Sequence, residues 1–414
     1  MTHDISLTEQ ARDVLITNDR GSYTVPTAGL YPYQWNWDSA VAALGFAQFD
    51  VERAWVELET LFQGQWADGM VPHILFHKND PGYFPGPEVW GCEGPIPSSG
   101  IIQPPIAATM AHLVWQRDPE MGRPRMAALY PKMVKWHSWI MRWRLHRGAV
   151  CTTHPWETGR DNAPDWDKTM ARMDASDVGE YTRRDTSHVN AEDRPTKYDY
   201  DRYITLVQLG RRLNWDQAAM LAQSPFRVAD PTMTFTTLRA ARDLVKMGTA
   251  LGEDTQTLEA DVARLEAGAA TLWNEELGGF DSRDVHSGEW AGCLSNASYL
   301  CWFAGVENRV MLTKLRSIME RVAYPVPSND PDAETFDARR YWRGPTWAIV
   351  NMLIGLGLAD MGHEEEATDL AKKTAHLIKE HGFAEYFDPF SGAAAGGGSF
   401  TWTAAVWLAW AGRA

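Results

Sequence analysis

Two short segments of the chain set a carboxylate among aromatic and turn residues: His154-Pro155-Trp156-Glu157-Thr158-Gly159-Arg160-Asp161-Asn162 and Phe383-Ala384-Glu385-Tyr386-Phe387-Asp388-Pro389. Glycosidic cleavage needs one carboxylic acid to protonate the leaving oxygen and, in an inverting enzyme, a second carboxylate to activate water on the opposite sugar face. Carboxylates among indoles and phenols can hold a raised pKa and so keep a proton near neutrality. Within the first segment, Glu157 and Asp161 compete for the role of acid on chemical grounds. Acidic residues in loops are usually solvated, so these motifs draw their weight from the surroundings. The chain carries 20 Trp in 414 residues, and sugar rings stack apolar C–H faces on indole while their hydroxyls need fixed polar partners.

The elements that must position these residues are helical. Over residues 38–65 the apolar positions Val41, Leu44, Phe49, Trp55, Leu58 and Phe62 recur at helical spacing, with Asp50 placed to cap the second helix of a hairpin. The pattern returns at 104–118, 124–146, 200–213, 232–251, 254–273, 295–305, 308–322, 345–361, 363–379 and 401–411, which makes about twelve helices and an all-α chain. Met133, Trp136, Trp139, Ile140 and Trp143 form one core stripe, and Leu258, Val262, Leu265, Ala269 and Leu272 another. The run Trp347-Ala348-Ile349-Val350-Asn351-Met352-Leu353-Ile354 is apolar nearly all round and must be enclosed by other helices. Long Gly/Pro-rich connections lie at 67–102, 147–199, 323–343 and 382–400. Connections of that length build a site or are disordered, and these are too rich in Trp, Tyr and Phe for disorder. They are expected to converge on one mouth of the helical scaffold.

With 44% hydrophobic and 22% charged residues the chain can bury a large core, and no low-complexity linker divides it, so residues 1–414 read as one domain. A net charge of −15 with no basic block excludes nucleic acid and anionic membranes as partners. The expected partner is a small-molecule glycoside, and homo-oligomer formation is left open. The start Met1-Thr2-His3-Asp4-Ile5-Ser6 lacks the features of a signal peptide, and no run reaches the roughly 18 apolar residues of a membrane helix. Cys92, Cys151, Cys293 and Cys301 form no CxxC, so reduced thiols in a cytoplasmic protein are expected. There is no phosphate-binding glycine loop and no HExxH. The acidic loop Asp330-Pro331-Asp332-Ala333-Glu334 lacks the glycine of a calcium-binding turn, so no cofactor or metal is expected.

The segments Tyr31-Pro32-Tyr33-Gln34-Trp35-Asn36-Trp37-Asp38, Trp156 to Asn162, Tyr341-Trp342-Arg343-Gly344-Pro345-Thr346-Trp347, Glu385-Tyr386-Phe387-Asp388-Pro389 and Phe400-Thr401-Trp402-Thr403 resemble glycoside hydrolase family 63, in its short branch of mannosylglycerate and glucosylglycerate hydrolases. They follow the family order over nearly the whole chain. The resemblance implies an (α/α)6 barrel, two concentric rings of six helices with the site at one end, and inversion at an α-linkage. It assigns the general acid to Asp161 and the general base to Glu385, and leaves Glu157 as an orienting neighbour. Asp38 would accept hydroxyl hydrogen bonds from the glycosyl ring, or cap the helix that follows. Trp35, Trp37, Trp156, Trp342 and Trp347 would wall the sugar pocket, with Tyr31 and Tyr341 beside them. Asp165 and Asp167 would tie down their loop. A glycerate carboxylate needs a local cation. Arg194 is the candidate, completed by Tyr200, Tyr83 and Gln103, while an ion pair of Arg194 with Glu192 or Asp193 is the competing reading.

The stretch Ser391-Gly392-Ala393-Ala394-Ala395-Gly396-Gly397-Gly398-Ser399 offers few side chains to read a substrate and, being flexible, could serve as a lid over Glu385. Other classes remain in view: a trehalase or α-glucosidase acting on a neutral disaccharide, for which Trp35 to Ser39 is suggestive; a sugar 2-epimerase, which would need paired histidines; and a non-catalytic sugar-binding barrel, against which Asp161 and Glu385 together argue.

Overall fold

The computed structural model describes residues 6–184 and 190–414; the start of the chain read above lies outside the described residues up to Ile5. Fifteen α-helices are found among the described residues. In chain order they are α1 (Leu7–Asn18), α2 (Asn36–Phe46), α3 (Val51–Gln63), α4 (Pro87–Trp90), α5 (Ala107–Trp115), α6 (Pro119–Trp143), α7 (Asp167–Ala171) and α8 (Lys197–Arg212). There follow α9 (Gln217–Gln223), α10 (Pro231–Leu251), α11 (Gln256–Ala270), α12 (Arg309–Arg321), α13 (Ala348–Asp360), α14 (Glu364–His381) and α15 (Thr401–Ala409).

Neighbour relations close these into two rings. The inner ring runs α2, α5, α10, a short 3-10 turn at Ser298–Cys301, α13 and α15, and α15 packs back on α2. Outside it, α1 lies on α15, α3 on α2, α6 on α5, α11 on α10, α12 on the 3-10 turn and α14 on α13. This is an (α/α)6 barrel whose fourth inner member is reduced to one turn. The helix expected over 295–305 does not form. The amides of Ser298, Tyr299 and Leu300 bond three residues back, as in Tyr299 N–H to the Asn296 carbonyl at 3.3 Å. Gly357 of α13 presses so close that a Cβ would sit 2.1 Å from the Phe303 nitrogen.

Local chemistry explains the rings. Every residue of α2 is buried, and α13 is buried from Ala348 through Gly355, as an enclosed apolar helix must be. Outer helices are two-faced: α3 buries Ala54, Trp55, Leu58, Leu61 and Phe62, and α12 buries Met311, Leu315, Ile318 and Met319. Asp50 caps α3, accepting from the Arg53 amide at 2.9 Å, as the sequence suggested. The long α6 begins at Pro119 behind the Asp118 cap and carries Pro124 and Pro131 within it, so its expected start at 124 was one turn late. Strands are only two to four residues long. The largest sheet joins Leu145–His146, Ala149–Thr152, Val228–Ala229 and Arg283–Asp284, all antiparallel. No helix among the described residues is long and apolar enough to cross a membrane.

Candidate active site

A single cavity gathers residues from all four long connections, at the end of the barrel where the inner helices α2 and α15 begin. It is lined by Asp161, Glu385, Tyr31, Trp35, Trp37, Asp38, Tyr83, Gln103, Trp156, Arg194, Tyr200 and Tyr341. Trp342 and Trp347, expected in the wall, do not line it. They stack on each other at 3.7 Å and 4°, are 1% and 0% exposed, and form the packing behind Trp37 and Tyr341.

The first turn of α2 delivers two of these groups. Gln34–Trp35 is held extended by pairing with Ile74–Leu75. The opening amides of α2 are then satisfied from outside the helix, Asn36 by the His73 carbonyl at 3.0 Å and Trp37 by Gln103 Oε1 at 3.1 Å. Asp38 is therefore the third residue of the helix and not its cap. No other side chain among the described residues donates a hydrogen bond to its carboxylate, which faces the cavity. Burial first, then the negative charge of Glu385, push its pKa well above the usual carboxylate range. Binding Trp37 with its oxygen leaves Gln103 its NH2 as the donor for a ligand.

Asp161 stands on an immobilised segment. The 3-10 turn Pro155–Thr158 ends at Gly159, whose φ is 67° and where a Cβ would meet the Trp37 ring at 2.5 Å; both facts require glycine. Next to it, buried Arg160 bonds Asp165 through two nitrogens, at 3.2 and 3.1 Å, and also Asp230, Thr232 and Ser295. The Asp161 carbonyl accepts from Tyr203 at 2.7 Å, and Asn162 Oδ1 accepts from the Trp342 amide at 2.9 Å. Asp161 itself is only partly buried and reaches the cavity. Glu157 does not: it is 0% exposed and spends its oxygens on Arg144 at 2.8 Å and on the Thr153 amide at 2.7 Å. Asp165 and Asp167 hold the loop as expected, through Arg160 and Arg343 respectively.

Glu385 is 1% exposed. Its Oε1 accepts from Tyr31 at 2.9 Å and Tyr341 at 3.4 Å, its Oε2 accepts from the Gly397 amide at 2.9 Å, and Arg194 Nη1 lies 3.6 Å from Oε1. Burial raises its pKa; the Arg194 charge, then these donors, pull it back. Burial also raises the pKa of both phenols well above the usual range, so they stay protonated and donate. Tyr341 sits in the left-handed region at φ 45°, a strained placement of the kind functional sites store, and its ring supports the Arg194 guanidinium at 4.0 Å. Of the two expected alternative partners of Arg194, Glu192 and Asp193, the second pairs with Arg339.

The glycine-rich stretch after Glu385 is no free lid. Ala394–Ala395 pairs antiparallel with Tyr386–Phe387, so the segment is one arm of a hairpin carrying Glu385. His73, Trp90, Phe400 and Trp402 also line the cavity without having been singled out as site residues. Trp402 lay inside a motif already quoted; its Nε1 donates to the Glu385 carbonyl at 3.2 Å. Nothing local marks His73 or Trp90.

The sequence model for the mannosylglycerate hydrolase MGH1-like glycoside hydrolase domain matches residues 31–403. The chain belongs to that family. It is a glycoside hydrolase. The chain is 43% identical over 412 residues to a mannosylglycerate hydrolase of Thermus thermophilus, covering 97% of this chain and 99% of that protein. It is 31% identical over 450 residues to the glucosylglycerate hydrolase of Mycolicibacterium hassiacum, covering 100% of each. A crystal structure of a family 63 mannosylglycerate hydrolase from Thermus thermophilus, in complex with Tris and D-glycerate, superposes with a TM-score of 0.94 at 42% identity, covering 97% of this chain and 99% of that one.

Of the two histidines near the cavity, His154 is fully engaged by backbone groups. His154 Nδ1 accepts from the Trp156 amide at 3.0 Å and its Nε2 faces the Tyr203 carbonyl at 3.1 Å, so its ring has no lone pair left for a substrate. Burial lowers its pKa to about 4. His73 stacks behind Trp156, with its Nδ1 2.9 Å from the Ser99 hydroxyl. Asp330 and Asp332 of the acidic loop both pair with Arg321, and no group of three or more metal-ligating side chains occurs among the described residues.

Proposed function

We propose that the protein hydrolyses an α-glycoside of glycerate, mannosylglycerate or glucosylglycerate, to hexose and glycerate with inversion. Asp161 is the general acid, protonating the glycerate oxygen as the bond breaks. Glu385 is the general base, taking a proton from the water that attacks the opposite face. The observation that carries this reading is one cavity holding Asp161, Glu385 and Asp38 together with a buried arginine, Arg194. Asp38, with unspent oxygens, suits the hydroxyls of the glycosyl ring, and Trp35, Trp37 and Trp156 suit its apolar faces. Arg194, Tyr200, Tyr83 and the NH2 of Gln103 suit a carboxylate-bearing aglycone. A neutral disaccharide would leave the charge of Arg194 unanswered by substrate. Residues 1–414 act as one catalytic domain in this reading, and four free cysteines fit a reducing, cytoplasmic setting.

The test is to incubate the protein with mannosylglycerate, glucosylglycerate, trehalose and kojibiose and assay released hexose. Release from the glycerate glycosides well ahead of the neutral disaccharides is expected; preference for trehalose or kojibiose would overturn the glycerate assignment.

A further inference from the structure

The stretch 391–399 has almost no functional side chains, yet it is stitched down along its length. Ala394 faces Phe387 and Ala395 faces Tyr386 in an antiparallel pair. The Asp388 amide donates to the Ala393 carbonyl at 2.9 Å, and the Glu385 amide to the Gly397 carbonyl at 2.8 Å. From the barrel wall Thr27 donates to the Gly398 carbonyl at 2.7 Å and Asn18 to the Ser399 carbonyl at 2.9 Å. Two features of this hairpin meet Glu385 directly. The Gly397 N–H donates to Oε2 at 2.9 Å. Gly396 has φ +72°, and a Cβ built there would lie 2.3 Å from Oε2 and 2.8 Å from the Glu385 Cβ.

We infer that Gly396 and Gly397 are positioning residues for Glu385: the hairpin fixes the carboxylate from behind through the Gly397 amide, and only glycine at 396 leaves room for it. The inference rests on the reading of Glu385 as the base. The two phenols bind Oε1 and the amide binds Oε2, so the carboxylate is held at both ends and its plane is set. A backbone donor whose own carbonyl is held by the Glu385 amide cannot rotate away as a side chain can, which suits a group whose lone pair must meet one water at one angle. At 396 the requirement for glycine comes from Glu385 itself, as well as from the positive φ. The cost of losing that geometry follows from how steeply rate depends on placement: a displacement of about 1 Å is worth on the order of 100-fold in rate.

The experiment compares three glycines of the hairpin with the base itself. Gly396→Ala should lower kcat by on the order of 100-fold with KM little changed. It should also move the acidic limb of the pH profile upward, because a displaced carboxylate loses the amide that favours its ionised form. Gly398→Ala, where an added Cβ meets nothing within 4 Å, should keep wild-type activity. Gly392→Ala is strained at φ +75° and crowds His381 and Tyr324 rather than Glu385; it should lower thermal stability more than kcat. Wild-type kcat and pH profile in a folded Gly396→Ala protein would overturn the inference, as would an equal kcat loss in Gly392→Ala, which would trace the effect to hairpin stability. Should Gly396→Ala fail to fold, amide hydrogen exchange on the wild-type protein decides: slow exchange at 394–397 that quickens in Glu385→Ala supports the inference, and exchange as fast as a free loop overturns it. Glu385→Gln assayed in parallel separates the two levels, since full activity there would remove the base assignment itself.

Discussion

Two sets of buried carboxylates, one behind the Asp161 segment and one around the cavity, are treated in different ways. Behind the Asp161 segment, Glu157, Asp165 and Asp230 are each matched by an arginine, Arg144 or Arg160, with further hydroxyl and amide donors filling their remaining lone pairs. Around the cavity, Asp38 has no such partner and Glu385 has phenols, one amide and an arginine at 3.6 Å; burial raises the pKa of both, as it does that of Asp230 despite its arginine. A buried charge that is fully paired is framework, whereas one left to face a cavity costs stability that binding or catalysis must justify. Position separates Glu157 from Asp161, although both lie in one short motif: Glu157 is fully buried and paired with Arg144, while Asp161 reaches the cavity.

The comparison breaks most visibly at the two carboxylates proposed as acid and base. Glu385→Gln and Asp161→Asn are each expected to lower kcat by about 10²–10⁴-fold while leaving the melting curve close to wild type. Glu157→Gln should do the reverse. It strands Arg144 in the interior and should cost about 3–5 kcal/mol of stability by denaturant unfolding, with kcat per folded molecule little altered. A Glu157→Gln protein that is stable and inactive would put Glu157 in the chemistry.

Arg194 sharpens the comparison, because it faces both ways. Arg194→Ala should lower kcat/KM for glycerate glycosides by about 1.5–3 kcal/mol, measured well above the acidic limb. The same variant removes the strongest charge opposing the burial of Glu385, so the acidic limb should move upward for every substrate, neutral ones included. Equal losses on charged and neutral substrates at alkaline pH would confine Arg194 to Glu385.

Asp38→Asn tests the unpaired carboxylate. The Asp38 pKa is raised on folding, so its contribution to stability is full below the unfolded value and is lost as pH rises through the folded value. Asparagine avoids that loss. The variant should be less active and should melt higher than wild type at alkaline pH, with the gap closing on acidification; a lower melting point at alkaline pH would mean that Asp38 is paired after all. The smallest effect is expected of Tyr31→Phe. Losing one donor to Glu385 should shift the acidic limb upward modestly, read from kcat/KM against pH, with the fold unchanged.

How far the sequence led depends on which physical signal each element carries. Helical periodicity located most of both rings from α2 onward because apolar positions repeat on the 3.6-residue turn. It overreached at 295–305, where apolar composition met a 3-10 turn fixed by the close approach of α13. The first helix, α1, carries a start signal in the capping box of Ser6 and Glu9, but its apolar face is short, with only Ala11, Val14 and Leu15 buried among its apolar residues. Motifs carried Asp161, Glu385 and most of the cavity wall. They could not say on which side of the wall Trp342 and Trp347 lie, because an indole reads the same whether it faces a sugar or another indole. The glycine-rich stretch misled as a lid: glycine signals freedom in the unfolded chain, and here that freedom is spent on φ +72° and on room for Glu385.

The central claim, that Asp161 and Glu385 act as acid and base across one sugar ring, is tested most directly by the anomer first formed. Hydrolysis of an α-linked glycerate glycoside followed by proton NMR, before mutarotation equilibrates the hexose, should show the β-anomer appearing first. The α-anomer as first product would mean retention through a covalent intermediate and would contradict the roles given to both carboxylates.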